Sequence, residues 1–162
     1  MDISDKVKTG ETHLLALEVE GEGFATGIRG NAWLSYIPSP SESIDLSGDW
    51  SPSKDALSYG NPIKLPGQWD AFMAKRKIKL DESLAGKGVY LRIDSENCSL
   101  IGALVNGKWL RRHHHVLGQT TLLNISDLLD LGTENEIEIV NWNGPGKGKI
   151  LNLSLDVYDK EL

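Results

Sequence analysis

Asn106-Gly107 stands between two short apolar segments, Leu100 to Val105 and the stretch opening at Lys108-Trp109. Asn and Gly are the residues that accept positive φ, which both central positions of a type I′ turn require. The pair therefore predicts two antiparallel strands joined by a two-residue hairpin turn. Two more strand patterns flank it within Gly88 to Val140. Val89-Tyr90-Leu91-Arg92-Ile93 and Glu136-Ile137-Glu138-Ile139 alternate apolar with polar residues, the period of a strand with one buried face.

The rest of the chain continues in short segments between turn signals. Leu15, Leu17 and Val19 alternate with Ala16, Glu18 and Glu20, and after a glycine-rich loop Asn31 to Ile37 forms a second strand. Together these predict an N-terminal β-hairpin within residues 1–37. Pro38-Ser39-Pro40-Ser41-Glu42-Ser43 reads as a linker, because proline cannot pair inside a sheet. Residues 44–162 then form the main domain. Ile63 to Leu65 is a short strand ended by Pro66-Gly67, and Gln68 to Ala74 suits one helical turn. Lys75 to Leu80 alternates, with Arg76, Ile78 and Leu80 on one face and three lysines on the other, the pattern of an edge strand guarded by charge. Ser126 to Leu131 suits a single helical turn capped by Ser126 or Asn124. Ile150 to Tyr158 is a last strand, with Leu151, Leu153, Leu155 and Val157 sharing a face. Many short strands with regular turn signals predict an all-β protein, a sandwich or barrel.

Composition excludes several functions. The net charge of −6 offers no basic stripe for a nucleic-acid backbone. The single cysteine, Cys98, excludes an internal disulfide and any multi-cysteine metal site. No apolar run approaches the roughly 20 residues of a membrane-spanning helix.

Part of the chain recurs. Ile3-Ser4-Asp5 to Gly10 matches Ile125-Ser126-Asp127 to Gly132. Carrying the alignment on sets Leu15 against Ile137, Leu17 against Ile139, Ile28 against Ile150 and Tyr36 against Tyr158. Two readings stay open: two similar hairpins in one β protein, or an N-terminal segment that is the closing half of a preceding similar domain. An isolated hairpin is marginal in water, so the N-terminal strands are expected to dock or pair.

Lys87-Gly88-Val89-Tyr90-Leu91-Arg92-Ile93, Ala103-Leu104-Val105-Asn106-Gly107-Lys108, Leu122-Leu123-Asn124-Ile125-Ser126-Asp127-Leu128-Leu129 and Gly132 to Ile139 form a series. It resembles the galactose-binding-like jelly-roll (sugar-binding) domain of glycoside hydrolases related to β-galactosidase and β-glucuronidase. Leu46-Ser47-Gly48-Asp49-Trp50 and Leu65-Pro66-Gly67-Gln68-Trp69 resemble the openings of such domains. The resemblance implies a β-sandwich jelly roll. It also implies partnership with carbohydrate or with the catalytic domain of the same polypeptide, and an extracellular or periplasmic parent protein. The chain departs from the family at His113-His114-His115-Val116-Leu117-Gly118, where a paired glycine and an aromatic are missing.

Hydrolysis in that family uses two carboxylates that flank the scissile bond on a separate barrel domain. The chain is too short to add such a barrel to a sandwich. Asp81-Glu82 and Glu134/Glu136 read as surface charge, so a catalytic role is not expected. Sugar rings have apolar faces, and exposed tryptophans with neighbouring amides and guanidinium groups bind them. The candidates are Trp142 with Asn143, beside Gly144-Pro145-Gly146, then Trp109, Trp69 and Arg112. Each tryptophan also has a core reading, the one favoured for Trp50 and Trp33. His113 and His115 would share a strand face but lack two further zinc ligands, so a plain polar strand is the competing reading. No cofactor is expected. A structural calcium, as jelly-roll modules often carry, would draw on Asp45, Asp49 and Asp156, although no compact oxygen-rich loop gathers them.

Overall fold

The computed structural model describes residues 6–8, 11–14, 38–53, 63–69, 71–96, 98, 100–110, 113–114, 119–142 and 148–160. The chain divides into two compact units, Met1–Ser39 and Pro40–Leu162. In the first unit, the Glu11 N–H donates to the Lys8 carbonyl (3.3 Å), and the Lys8 N–H lies 3.0 Å from His13 Nε2. The N-terminal hairpin expected within residues 1–37 lies outside the described residues, as does Trp33.

The second unit is a β-sandwich. Its strands are β1 (Glu42–Asp45), β2 (Gly48–Pro52), β3 (Ile63–Leu65), β4 (Gly67–Trp69), β5 (Ala71–Lys79), β6 (Gly88–Glu96), β7 (Leu100–Val105), β8 (Lys108–Trp109), β9 (His113–His114), β10 (Gln119–Asn124), β11 (Glu134–Trp142) and β12 (Gly148–Tyr158). Among the described residues, the smaller sheet runs β1-β12-β6-β10, with β4 also on β12. The larger runs β3-β2-β5-β11-β7-β8, with β9 also on β7. All these pairings are antiparallel.

The alternation seen in the sequence builds the core. Val89, Leu91 and Ile93 of β6 and Leu153, Leu155 and Val157 of β12 are buried from the smaller sheet. They join Ala74, Ile101, Ala103, Val105, Ile137 and Ile139 from the larger one in a single apolar cluster. Trp50 belongs to this core, as expected, and its indole N–H donates to the Leu46 carbonyl (3.1 Å). Asn106 and Gly107 have φ of 49° and 76°, the two positive values of the expected turn between β7 and β8.

Four expectations change. Gln68 to Ala74 is not a helical turn, because it supplies β4 and the start of β5. β5 lies between β2 and β11, but β2 pairs with it only at Lys75 and Ala74, so from Arg76 on its strand partner among the described residues is β11 alone, the edge position expected. Its lysines face acids on β11 rather than empty solvent, with Lys75 Nζ 2.9 Å from Glu136 and Lys77 Nζ 2.7 Å from Glu134. The linker ends early, since β1 begins at Glu42 and pairs with Val157. The helical turn after Asn124 is a 3-10 turn over Ser126–Leu128. The Asn124 side chain accepts the Ser126 N–H (3.0 Å), but the N-cap position is Ile125, which makes no side-chain cap, so neither Ser126 nor Asn124 is the cap. Finally, the register of β12 slips between Ile150 and Asn152. This bulge turns Leu151 out to 41% exposure while Ile150 and Leu153 both stay in the core.

The C-terminal member of the repeat is also not a hairpin. β11 pairs with β5 and β7, whereas β12 pairs with β1, β4 and β6. The two strands belong to different sheets.

Candidate functional site

The outward face of the smaller sheet carries the densest polar cluster among the described residues. Period-2 alternation puts Tyr90, Arg92 and Asp94 of β6 on the face opposite Val89, Leu91 and Ile93. The bulge at Leu151 sets Asn152, Ser154, Asp156 and Tyr158 of β12 on that same face. Register brings them together: Arg92 lies opposite Ser154, Tyr90 opposite Asp156, Asp94 opposite Asn152, Ser43 opposite Asp156 and Thr120 opposite Asp94.

Arg92 is the centre of this cluster. Its Nε donates to both oxygens of Asp94, at 3.2 and 3.0 Å, and Nη1 reaches Asp156 Oδ2 at 3.5 Å. Thr120 Oγ1 donates to Asp94 Oδ1 (2.6 Å), and Asn152 Nδ2 to Asp94 Oδ2 (3.2 Å). Ser43 and Ser154 both donate to Asp156 Oδ1, at 2.8 and 3.0 Å. Asp156 is only 1% exposed. Burial works to lower the Arg92 pKa, but the Asp94 and Asp156 carboxylates outweigh it and hold the guanidinium above its ordinary value. The Tyr90 and Tyr158 rings meet edge to face, centroids 5.5 Å apart at 89°. The Tyr158 hydroxyl is buried and finds no hydrogen-bond partner. Burial, and then the Asp156 charge, push its pKa up.

A second polar group lies inside the sandwich. Asn141, on the core-facing side of β11, is 1% exposed and neither its Nδ2 nor its Oδ1 has a partner. Near it the Cys98 thiol is buried, 3.4 Å from the Glu96 carbonyl and 3.8 Å from that of Lys149. Burial raises the Cys98 pKa, against the opposing effects of Ser95, the Lys149 backbone and Asn141. A protonated, enclosed thiol is a poor nucleophile.

The tryptophans expected to form a sugar platform are dispersed. Trp69 is in β4, opposite Gly148 in the smaller sheet. Trp142 ends β11 in the larger sheet, opposite Ala71 and Leu100. Trp109 lies opposite Leu104 and is 51% exposed. Leu100 and Leu104 are four residues apart on β7, which puts the Trp142 and Trp109 positions about 13 Å apart along the strand direction. Asn143 and Arg112 lie outside the described residues, as do Arg111 and His115. His113 and His114 take backbone positions opposite Ile101 and Leu100.

The three aspartates considered for calcium do not fit it. Asp49 is in the larger sheet opposite Lys64. The Asp45 carboxylate accepts the Ser47 hydroxyl (2.6 Å) and N–H (2.8 Å), which lower its pKa. Asp156 is bonded by Ser43, Ser154 and Arg92, and a divalent ion there would meet a guanidinium. No group of three metal-ligating side chains occurs among the described residues.

Sequence reasoning missed the Arg92 cluster. The outward residues of β6 and β12 are visible as alternation, but the register that joins them is not.

No family model matches the chain, and no curated protein matches it by sequence. Solved structures do match it by shape. A β-D-glucuronidase of Dictyoglomus thermophilum superposes on 67% of this chain at TM-score 0.55 and 19% identity, over 21% of its own length. A β-glucuronidase of Lactobacillus rhamnosus covers 77% of this chain at TM-score 0.60 and 16% identity, over 30% of its length. A glycosyl hydrolase family 2 member of Bacteroides cellulosilyticus covers 71% at TM-score 0.58 and 15% identity, over 20% of its length. The chain thus spans between a fifth and a third of these enzymes, and it has a β-sandwich fold that recurs as one part within them.

Proposed function

We propose that the chain is a non-catalytic accessory β-sandwich of a larger glycoside hydrolase, and that it works by packing against the catalytic domain. The observation that carries this reading is the match in shape to one portion of three glycoside hydrolases. The described side chains agree with it. Asp94 and Asp156, the carboxylates gathered in the outward cluster, share one guanidinium instead of flanking an open space for a glycosidic bond.

A second reading, direct contact with carbohydrate, is favoured by the exposure of Trp109. One exposed indole offers one stacking surface and by itself predicts weak binding.

Three measurements test these readings. Incubation with chromogenic β-glucuronides and β-galactosides is expected to give no turnover, and turnover that survives repurification overturns the non-catalytic reading. Gel filtration with the catalytic domain of the same gene product is expected to show co-elution, and separate elution refutes the packing role. Calorimetric titration with galactosides, glucuronides and plant or host glycans decides the second reading. Saturable binding lost in Trp109→Ala or Trp142→Ala establishes a sugar contact, and no saturation removes it.

A further inference from the structure

Residues 3–10 and 125–132 match in sequence, and the stretches that follow them match in geometry. In the second, the Thr133 N–H donates to the Asp130 carbonyl (3.4 Å), while the Asn135 side chain accepts the Asp130 N–H (2.8 Å) and donates to its carbonyl (3.0 Å). The matching positions of the first unit make the same three contacts. The Glu11 N–H donates to the Lys8 carbonyl (3.3 Å), and His13 Nε2 lies 3.0 Å from the Lys8 nitrogen and 3.1 Å from its carbonyl oxygen. His13 stands where Asn135 stands. A ring nitrogen serves one of the two backbone groups at a time, whereas an amide serves both. The turn is kept although the residue that holds it differs.

What closes the turn is not kept. In the sandwich, Asn106 arrives from the turn between β7 and β8, donates to Asn135 and to the Leu128 carbonyl, and accepts the Glu136 N–H. Asn135 is fully buried there. Residues 1–39 contain no Asn-Gly pair. The counterparts of Asn135 and Glu136, which are His13 and Leu14, are exposed, Leu14 to 97%.

The strands that follow the turn are central ones in the sandwich. β11 lies between β5 and β7, β12 lies between β1 and β6, and the two share no ladder. A segment built to this template finds no ladder partner within itself. Leu15, Leu17, Ile28 and Trp33 stand at the positions of Ile137, Ile139, Ile150 and Leu155, all of them core residues. Asn31 and Ser35 depart from the template, at the positions of Leu153 and Val157.

We propose that residues 3–36 are the closing strand pair of a second β-sandwich of this same fold. Their partner is an open sandwich with counterparts of β5, β6 and β7, an Asn-Gly turn that reaches His13, and no closing pair of its own. It lies ahead of this segment in the same polypeptide, because β1 to β10 precede β11 and β12 in the described sandwich. The accessory role is not a premise here, and separate elution from the catalytic domain would leave the proposal standing.

The test is thermal unfolding followed by circular dichroism. Ile139→Asp puts an unmatched charge in the core and is expected to lower the melting temperature of the 162-residue chain by more than about 10 °C. Leu17→Asp is expected to leave it unchanged. The gene product taken from its own start through Leu162 is expected to show a second transition, lost in Leu17→Asp and kept in Ile139→Asp. Leu17→Ala adds no charge and is expected to lower the second transition without removing it, so the comparison can be read even where Leu17→Asp fails to fold.

A melting temperature that falls in Leu17→Asp of the 162-residue chain assigns these strands to the described sandwich and overturns the proposal. A dimer on gel filtration that Leu17→Asp dissociates makes a second copy the occupant and overturns it as well. So does a gene product with no second transition, or with one that both Leu17 variants leave in place.

Discussion

Asn106 does more than turn the chain. Its Nδ2 donates to the Leu128 carbonyl and to Asn135 Oδ1, both at 2.9 Å, and its Oδ1 accepts the Glu136 N–H (3.0 Å). Asn135, fully buried, passes the network on to Asp130 and Thr133. The Asn-Gly and Gly-x-Glu-Asn motifs that suggested a family are thus a structural knot at one end of the sandwich, which explains why they report fold and not ligand. Asn106→Ala loses these bonds and leaves at positive φ a residue without the local hydrogen bonding that lets Asn tolerate it, so it should cost about 2–4 kcal/mol in urea unfolding. Asn106→Gly keeps the φ and loses only the bonds, so it should cost less by about 1 kcal/mol. Equal losses in the two variants would show that φ contributes nothing. Asn141 has the opposite sign. Its buried amide is unpaired, so the near-isosteric Asn141→Leu should stabilise the protein by about 1–2 kcal/mol. A destabilised variant in the same unfolding experiment would mean that an internal water satisfies the amide.

At the scale of the element, the bulge in β12 decides which leucine matters. Uniform alternation groups Leu151 with Leu153, Leu155 and Val157. The bulge separates them, and Leu151 is 41% exposed where Leu153 is fully buried. Leu153→Ala is therefore expected to cost about 2–5 kcal/mol, and Leu151→Ala less than about 1 kcal/mol. Similar losses at both positions in thermal unfolding would remove the bulge from the account. The same slip sets Ser154 and Asp156 beside Arg92, so one irregular residue both repairs the core and assembles the outward cluster. The lysines of β5 show a similar dependence on neighbours: the sequence displays a charged strand, and only pairing with β11 shows that the charges are matched.

At the scale of the whole molecule, two enclosed acids among the described residues work against stability at alkaline pH. Cys98 and Tyr158 both have pKa values raised above their ordinary 9.0 and 10.0. Each holds its proton in the folded state at a pH where the unfolded chain has released it. The unfolded state is then favoured as pH climbs above 9.0 for Cys98 and 10.0 for Tyr158, and neither group affects stability well below those values. Melting temperature should fall through this range, and Cys98→Ala should flatten the first part of the fall relative to its own value at neutral pH. An unchanged slope in that variant would exclude the thiol as a cause. The thiol should also resist Ellman's reagent until the chain is denatured.

The sequence by itself determined the fold class, the turn at Asn106-Gly107 and the inward faces of β6 and β11, because these follow from local φ preferences and period-2 alternation. Its family resemblance agreed with the shape found in glycoside hydrolases. Pairing and register were decided only by the tertiary structure. Alternation says which face a residue takes, but not which strand lies beside it or where a bulge shifts the phase. So β11 and β12 read as a hairpin, and the meeting of Arg92, Asp94 and Asp156 across strands far apart in the chain was invisible. Trp142, Trp109 and Trp69 stood in the sequence as candidates for one platform, Trp142 first. Assignment to different sheets and different ladder positions separated them, because two residues share a surface only when their strands pair at the same level.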